Sequence, residues 1–175
     1  MKMTHLNVEI KARCNHPGLI REYLKSSKAE FKGIDRQTDT YFNASKGRLK
    51  LREGNIESNL IYYERDNKPG AKESNFKLIN VPDVKGLKEI LRRSLGIKII
   101  VEKKREIYFL GNVKFHIDEV ESLGSFVEIE ASNLFSDVSR RELWEQCDFY
   151  IRELGIKNED LVAFSYSDML LKTLQ

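Results

Sequence analysis

The segment from Thr4 to Cys14 alternates strictly between apolar and polar residues, and this alternation constrains the fold more than any other feature of the chain. The polar positions of the segment are His5, Asn7, Glu9, Lys11 and Arg13. A period of two places the polar and apolar residues on opposite faces of a β-strand. The segment is therefore predicted to be a strand with one charged face.

The rest of the 175-residue chain is predicted to contain seven more strands and four helices. The strands span residues 33–43, 48–52, 59–65, 74–80, 97–110, 113–121 and 126–131. The helices span residues 17–27, 82–95, 138–154 and 159–174, with turn residues between the elements. Because the sequence shows no linker, repeat or low-complexity stretch, we expect one domain over residues 1–175.

Charged side chains recur on the polar faces of the predicted strands. The cations are Lys11, Arg48, Lys50, Arg52, Lys103 and Arg105, and the carboxylates are Glu9, Asp118, Glu128 and Glu130. A half-buried sheet turns its polar face to water, which would explain any single strand of this kind. The helices also need an apolar surface to pack on, and the aliphatic strand faces are the surface that the sequence offers. We therefore expect an α+β fold, in which a closed eight-stranded antiparallel barrel has helices outside and charges inside.

A barrel interior rich in Lys and Arg would repel itself unless an anion occupied it, because burying unpaired charge is costly. The natural ligand is a polyphosphate. The carboxylates of the same cavity suit hard divalent cations such as Mg²⁺ or Mn²⁺, which can bridge to phosphate oxygens.

Several segments resemble, in the same order, motifs of the CYTH superfamily, the triphosphate tunnel metalloenzymes that include class IV adenylate cyclases and thiamine triphosphatases. Residues 7–11 resemble the ExExK signature, residues 39–42 the DTYF segment and residues 47–52 the basic LRxR strand. Residues 103–105 are similar to the KxR strand, residues 116–130 to HxDxVxxLGxFxExE and residues 165–170 to SYSDLL. One short motif could arise by chance, but this ordered series is specific.

The resemblance implies a tunnel that holds a triphosphate against basic side chains, with one or two divalent metal ions on carboxylates. Glu9, Glu128 and Glu130 match metal-binding glutamates, and Asp118 lies where an acidic residue holds metal or orients a water. The phosphate-binding cations of the family are matched by Lys11, Lys50, Arg52, Lys103 and Arg105. With Lys11, these four carboxylates are the candidate catalytic residues.

Three further positions each allow two interpretations. Arg48 has the phase to join the phosphate-binding cations, but its place near a strand end equally suits solvent. His116 contacts substrate or forms a hydrogen bond across the tunnel, as a lone strand histidine often does. Tyr41 lines the substrate site or serves packing.

The chain departs from the family pattern at two places. Asn7 replaces the first glutamate of ExExK, so an amide oxygen stands where a second metal site would have a carboxylate. Residues 60–63 lack the lysine that follows LTY on the fourth strand in many members. Lys72 or Lys77 could supply that phosphate contact, although both also fit ordinary solvated lysines.

The resemblance leaves the reaction open between two chemistries and a binding role. A hydrolase would direct water at the terminal phosphorus of tripolyphosphate or of a nucleoside or thiamine triphosphate. A class IV adenylate cyclase would direct the ribose 3′-hydroxyl of ATP at the α-phosphorus and release pyrophosphate. A module with a weakened metal site would hold a polyphosphate or nucleotide without turnover. Among these, hydrolysis is the function that we expect.

Composition limits the remaining possibilities. A chain with 30 Lys and Arg against 27 Asp and Glu has no strongly basic arm, so a dedicated nucleic-acid surface is not expected. No apolar run suits a membrane span, and the start shows no signal region, so a cytoplasmic protein is expected. Cys14 and Cys147 lie in apolar patterns and are predicted to be core residues. A homodimer is compatible with the sequence, although no residue points to one.

Overall fold

The computed structural model describes residues 5–134 and 136–174. Its strands are β1 (His5–Arg13), β2 (Glu30–Phe42), β3 (Arg48–Glu53), β4 (Asn59–Arg65), β5 (Lys72–Asn80), β6 (Ile97–Leu110), β7 (Val113–Val120) and β8 (Gly124–Ser132). Its α-helices are α1 (Pro17–Ser26), α2 (Val84–Leu95), α3 (Arg140–Glu153) and α4 (Tyr166–Thr173). The strands are antiparallel and form a closed barrel in the order β1-β5-β4-β3-β2-β6-β7-β8. The predicted fold class is confirmed.

The apolar strand faces lie on the outside of the barrel, where helices cover them. Val8, Ile10 and Ala12 of β1 are completely or almost completely buried and belong to the same core as Leu143 and Cys147 of α3. Because successive side chains of a strand point to opposite faces, this packing turns the charged residues of β1 into the barrel. Both cysteines are free and buried, as the sequence predicts.

Helix α2 covers another part of the outer surface. Its residues Val84, Leu87 and Leu91 pack against a buried cluster that includes Leu51 of β3. Asp83 caps the helix by accepting a hydrogen bond from the backbone N–H of Gly86. Within the described ranges, no helix is long and apolar enough to cross a membrane.

The C-terminal segment differs from the predicted helix over residues 159–174. A single 3₁₀ turn at Asn158–Asp160 is followed by extended backbone, in which the N–H of Val162 donates to the carbonyl of Lys11 at 2.8 Å. Helix α4 begins only after Ser165, whose hydroxyl accepts from the N–H of Asp168 while the carboxylate of Asp168 accepts from the N–H of Ser165. This capping box fixes the helix start, so the prediction is wrong for the residues before it.

Strand boundaries differ from the predictions by a few residues. The largest change is at β2, which begins at Glu30 because it continues to pair with β6 across an irregularity between Phe31 and Gly33. Gly33 has a φ of 126°, a conformation that suits glycine. Thr4, where the first strand was predicted to begin, lies outside the described residues.

Candidate active site in the barrel cavity

The barrel encloses a cavity of about 780 Å³, including its open mouth. Among the described residues, seven Lys and Arg side chains line it: Lys11, Lys50, Arg52, Arg65, Lys103, Arg105 and Lys114. Five carboxylates line it as well: Glu9, Asp39, Glu57, Glu128 and Glu130. The lining therefore carries two formal positive charges more than negative ones, in a setting where water screens charge poorly.

Strand register brings the acidic residues of β1 and β8 together. Glu9 lies opposite Glu130, and Lys11 lies opposite Glu128. On the other side of β8, His116 of β7 also lies opposite Glu128. Opposed residues of antiparallel strands are close neighbours on one face, so three strands build a compact acidic cluster.

Asp39 of β2 holds three cations of the cavity. Its carboxylate accepts hydrogen bonds from Lys50 at 2.9 Å, from Arg52 at 2.8 and 3.0 Å, and from Lys103 at 2.7 Å. Burial would raise the pKa of Asp39, but these cations hold that pKa well below its usual range. Asp39 belongs to the DTYF-like segment but was not predicted to be a site residue.

Lys103 shares the carboxylate of Asp39 with two other cations, and its pKa is lowered. Its side chain is 0% exposed, and burial lowers its pKa to about 7, with Arg52 and Arg105 adding to the effect and Asp39 opposing it. A neutral amine at this position can take up a proton when an anion arrives.

Asp118 lies on the same face of β7 as His116 and holds Arg105 by two hydrogen bonds. Arg105 donates to Asp118 at 2.7 and 2.5 Å and to Glu128 at 2.6 Å. The hydroxyl of Tyr166, from α4, donates to the same Asp118 carboxylate at 2.7 Å. Burial would raise the pKa of Asp118, but Arg105 lowers it. Asp118 is not a lining residue, and its oxygens already accept three hydrogen bonds.

A divalent cation fits the cluster of His116, Glu128 and Glu130. One ligand atom from each of these residues lies within 4.8 Å of the others. Nδ1 of His116 lies 3.2 Å from Glu128 and 3.8 Å from Glu130, and Nε2 is buried without a hydrogen-bond partner among the described residues. Burial and Arg105 lower the pKa of His116, so its ring is neutral and can act as a ligand.

Glu9 and Asn7 extend this cluster along β1. Both line the cavity, and Glu9 forms an ion pair with Arg65 of β4. The amide oxygen of Asn7 is buried without a hydrogen-bond partner in the described part of the chain. A free amide oxygen beside carboxylates is a donor set that Mg²⁺ or Mn²⁺ accepts.

Arg65 supplies a cavity cation from the fourth strand that was not predicted from the sequence. Its side chain is 6% exposed, and its Nε and Nη2 have no partner among the described residues. Lys72 is not among the residues that line the cavity, because its ammonium donates to three backbone carbonyls. Lys77 is exposed on β5. Residues 60–63 do not alternate between apolar and polar, so no sequence signal showed that Arg65 points inward.

Arg48 and Tyr41 lie toward the end of the barrel that α4 covers. Arg48 forms a 2.8 Å ion pair with Asp168 of α4 and does not line the cavity. Tyr41 does line it and is 5% exposed, and burial raises its pKa to about 12.

The two ends of the cavity differ in exposure. At one end, Ser165 and Tyr166 of α4 line the cavity, and the ammonium of Lys11 lies 3.6 Å from the centre of the Tyr166 ring. At the other end, Leu78 is 43% exposed, and the Glu57 and Lys114 side chains are 20% and 19% exposed. The cavity is thus covered by α4 and opens between the β3–β4 loop and β7.

Comparisons with known proteins agree with this architecture. The sequence model described as CYTH domain matches residues 5–166. A Methanocaldococcus jannaschii protein named "Putative adenylate cyclase MJ0240" is 27% identical over 179 residues, covering 94% of this chain and 98% of that protein. The PH1012 protein of Pyrococcus horikoshii OT3 is 29% identical, with a TM-score of 0.79 over 93% of this chain and 98% of that one. HpAC1 from Hippeastrum, described with a dominant triphosphatase activity, shares the fold at 12% identity, with a TM-score of 0.65 over 97% of this chain and 95% of that one.

Proposed function

The chain belongs to the CYTH domain family, and from this premise we propose that it is a divalent-metal-dependent hydrolase of triphosphate-containing molecules. Its substrates would be tripolyphosphate, nucleoside triphosphates or thiamine triphosphate. The observation that carries the proposal is the enclosed cavity, which seven cations and five carboxylates of the described residues line together.

Charge balance supports a triphosphate as the ligand. The lining has an excess of two positive charges, and a divalent cation would raise the excess to four. A triphosphate carries about one negative charge on each inner phosphate and about two on a terminal one. The ligand would therefore neutralise the cavity, and its oxygens would replace Asp39 as acceptors for Lys50, Arg52 and Lys103.

Glu128, Glu130 and His116 would hold the metal ion, with Glu9 and Asn7 beside them. When bound, Mg²⁺ or Mn²⁺ supplies Lewis-acid stabilisation of phosphate oxygens. Glu130 is the least engaged carboxylate of the cluster, since His116 lies 3.8 Å away, beyond hydrogen-bond distance. Glu128, in contrast, contacts Lys11, Arg105 and His116.

Hydrolysis would take place in the inner part of the cavity, where Glu9 and Lys11 line it, because the Glu130 side chain is 25% exposed and lies opposite Lys114 of the mouth. Glu9 would accept a proton from a water that attacks the terminal phosphorus, while the bond from that phosphorus to the bridging oxygen breaks. Lys11, Lys103 and Arg105 would stabilise the charge that develops on the transferred group and on the departing diphosphate. Asp118 and Tyr166 would act indirectly by holding Arg105 in place.

The second candidate is a class IV adenylate cyclase. The name of the M. jannaschii relative favours it, and the same cations would bind ATP. Cyclisation requires in addition that the mouth bind ribose and base, so that the 3′-hydroxyl reaches the α-phosphorus. Phe76 lines the cavity next to Leu78, and the Phe109 ring lies 5.6 Å from the Lys114 ammonium, so the product formed from ATP, rather than the mouth, decides between the two reactions.

The experiment is a phosphate-release assay with Mg²⁺ or Mn²⁺ on the wild type and on Glu130→Gln. We expect the wild type to release orthophosphate and Glu130→Gln to be inactive with an unchanged melting temperature. Glu119→Gln is the matched control, because Glu119 is an exposed acid on the neighbouring strand β7. Equal rates for Glu130→Gln and Glu119→Gln would refute the proposed role of the cluster. If tripolyphosphate and ATP raised the melting temperature but gave no product, the protein would be a binding module instead.

A further inference from the structure

Glu57 is an internal anion at the mouth of the cavity. One of its carboxylate oxygens accepts a hydrogen bond from Arg52 at 3.0 Å, and the other forms an ion pair with Lys114 of β7. Gln37 donates to the same carboxylate at 3.3 Å. The side chain of Glu57 therefore reaches across the opening and joins the β3–β4 loop to the opposite wall.

The backbone that carries Glu57 is fixed. The N–H groups of Ile56 and Glu57 donate to the carboxylate of Asp35 at 2.9 and 3.0 Å, and Asp35 is 0% exposed. A side chain at Gly54 would meet the Asp35 oxygens at 2.6 Å, so the loop closes tightly over this residue. Any displacement of the Glu57 carboxylate must thus come from its own side-chain rotation.

A triphosphate can enter this cavity with only one end outward. Because α4 covers the far end, an organic group attached to the triphosphate must remain at the mouth, beside Glu57 and Lys114. The phosphate nearest the mouth is then an ester with about one negative charge. In inorganic tripolyphosphate the same position holds a terminal phosphate with about two.

We propose that Glu57 selects organic triphosphates over inorganic tripolyphosphate and longer polyphosphates by repelling a doubly charged phosphate at the mouth. This inference rests on the proposed function, because it assumes that triphosphates bind in the cavity. Glu57 competes with the outer phosphate for Arg52 and Lys114, and the competition weakens binding most for the ligand with the larger outer charge. Glu57 is thus a specificity residue of the same site.

The test is calorimetric binding of tripolyphosphate and ATP, in EDTA, to the wild type and to Glu57→Gln. The amide has the shape of the carboxylate and removes its charge. We expect Glu57→Gln to bind tripolyphosphate about fivefold more tightly, corresponding to about 1 kcal/mol, and ATP less than about twofold more tightly. Glu53→Gln is the control, because Glu53 carries the same charge near this loop but pairs with Lys88 of α2.

The possible results distinguish a failure of selection by Glu57 from a failure of the proposed function. An equal change for both ligands, or no change, in a Glu57→Gln protein with a wild-type melting temperature would overturn the selection while leaving the proposed function intact. If the wild type bound neither ligand, both proposals would fall together. If Glu57→Gln did not fold, Lys114→Gln is the second variant. Freeing Glu57 from Lys114 should weaken tripolyphosphate more than ATP, and an equal loss for both would contradict the inference.

Discussion

Binding of a triphosphate should draw a proton from solution onto Lys103. Burial lowers the pKa of this side chain to about 7, so about nine-tenths of it is neutral at pH 8. A phosphate placed against Lys103 restores the charged form, and the protein should take up about 0.9 proton per ligand bound at pH 8. Because the free protein holds the less protonated form, affinity should fall as pH rises above 7, by almost tenfold per unit until the bound-state pKa is reached.

The assay is calorimetric titration with tripolyphosphate in EDTA at pH 8, repeated in buffers of different ionisation enthalpy. The slope of observed enthalpy against ionisation enthalpy gives the number of protons taken up. Lys103→Met is the control, since it removes the amine while Lys50 and Arg52 still hold Asp39. A slope that is the same for the wild type and Lys103→Met would refute the reasoning.

Further predictions address other residues of the cavity and its supports. Arg65→Met should weaken metal-free tripolyphosphate binding at least about tenfold, as loss of a charged hydrogen-bond donor would, whereas Lys77→Met should leave the calorimetric affinity unchanged. Lys72→Met should lower the free energy of unfolding in urea by about 2 kcal/mol or more, because three carbonyls lose their donor, and a loss of affinity without a loss of stability would contradict this. Glu130→Gln should weaken Mn²⁺ binding in calorimetry without lowering the melting temperature, and unchanged Mn²⁺ affinity would place the ion elsewhere. Asn7→Glu should strengthen Mn²⁺ binding, and a weaker or equal affinity would exclude Asn7 from the metal site.

The alternation of β1 was sufficient to predict its inner face, because apolar and polar residues take turns without exception, although the strand ends at Arg13 rather than at Cys14. The same rule predicted β7 and β8 and so brought Glu9, Glu128 and Glu130 together. It did not place Arg65, since residues 60–63 are all large and partly apolar and give no sign of which face points inward.

Two other features depend on contacts between distant parts of the chain. Glu57 lies in a loop without periodicity, and its position comes from Asp35, which lies 22 residues earlier. Asp118 was predicted on the inner face, but its role follows from a hydrogen bond with Tyr166, 48 residues later. The capping signal at Ser165 was present in the sequence, and the apolar spacing before it concealed where α4 begins.

The most direct test of the proposed activity is a product analysis of the purified protein with Mg²⁺ or Mn²⁺. Tripolyphosphate, ATP and thiamine triphosphate are supplied separately, and orthophosphate, pyrophosphate and cyclic AMP are each quantified. We predict orthophosphate as the product, without cyclic AMP from ATP. Cyclic AMP with an equal amount of pyrophosphate would contradict hydrolysis and identify a cyclase, and the absence of any product from all three substrates would contradict an enzymatic role.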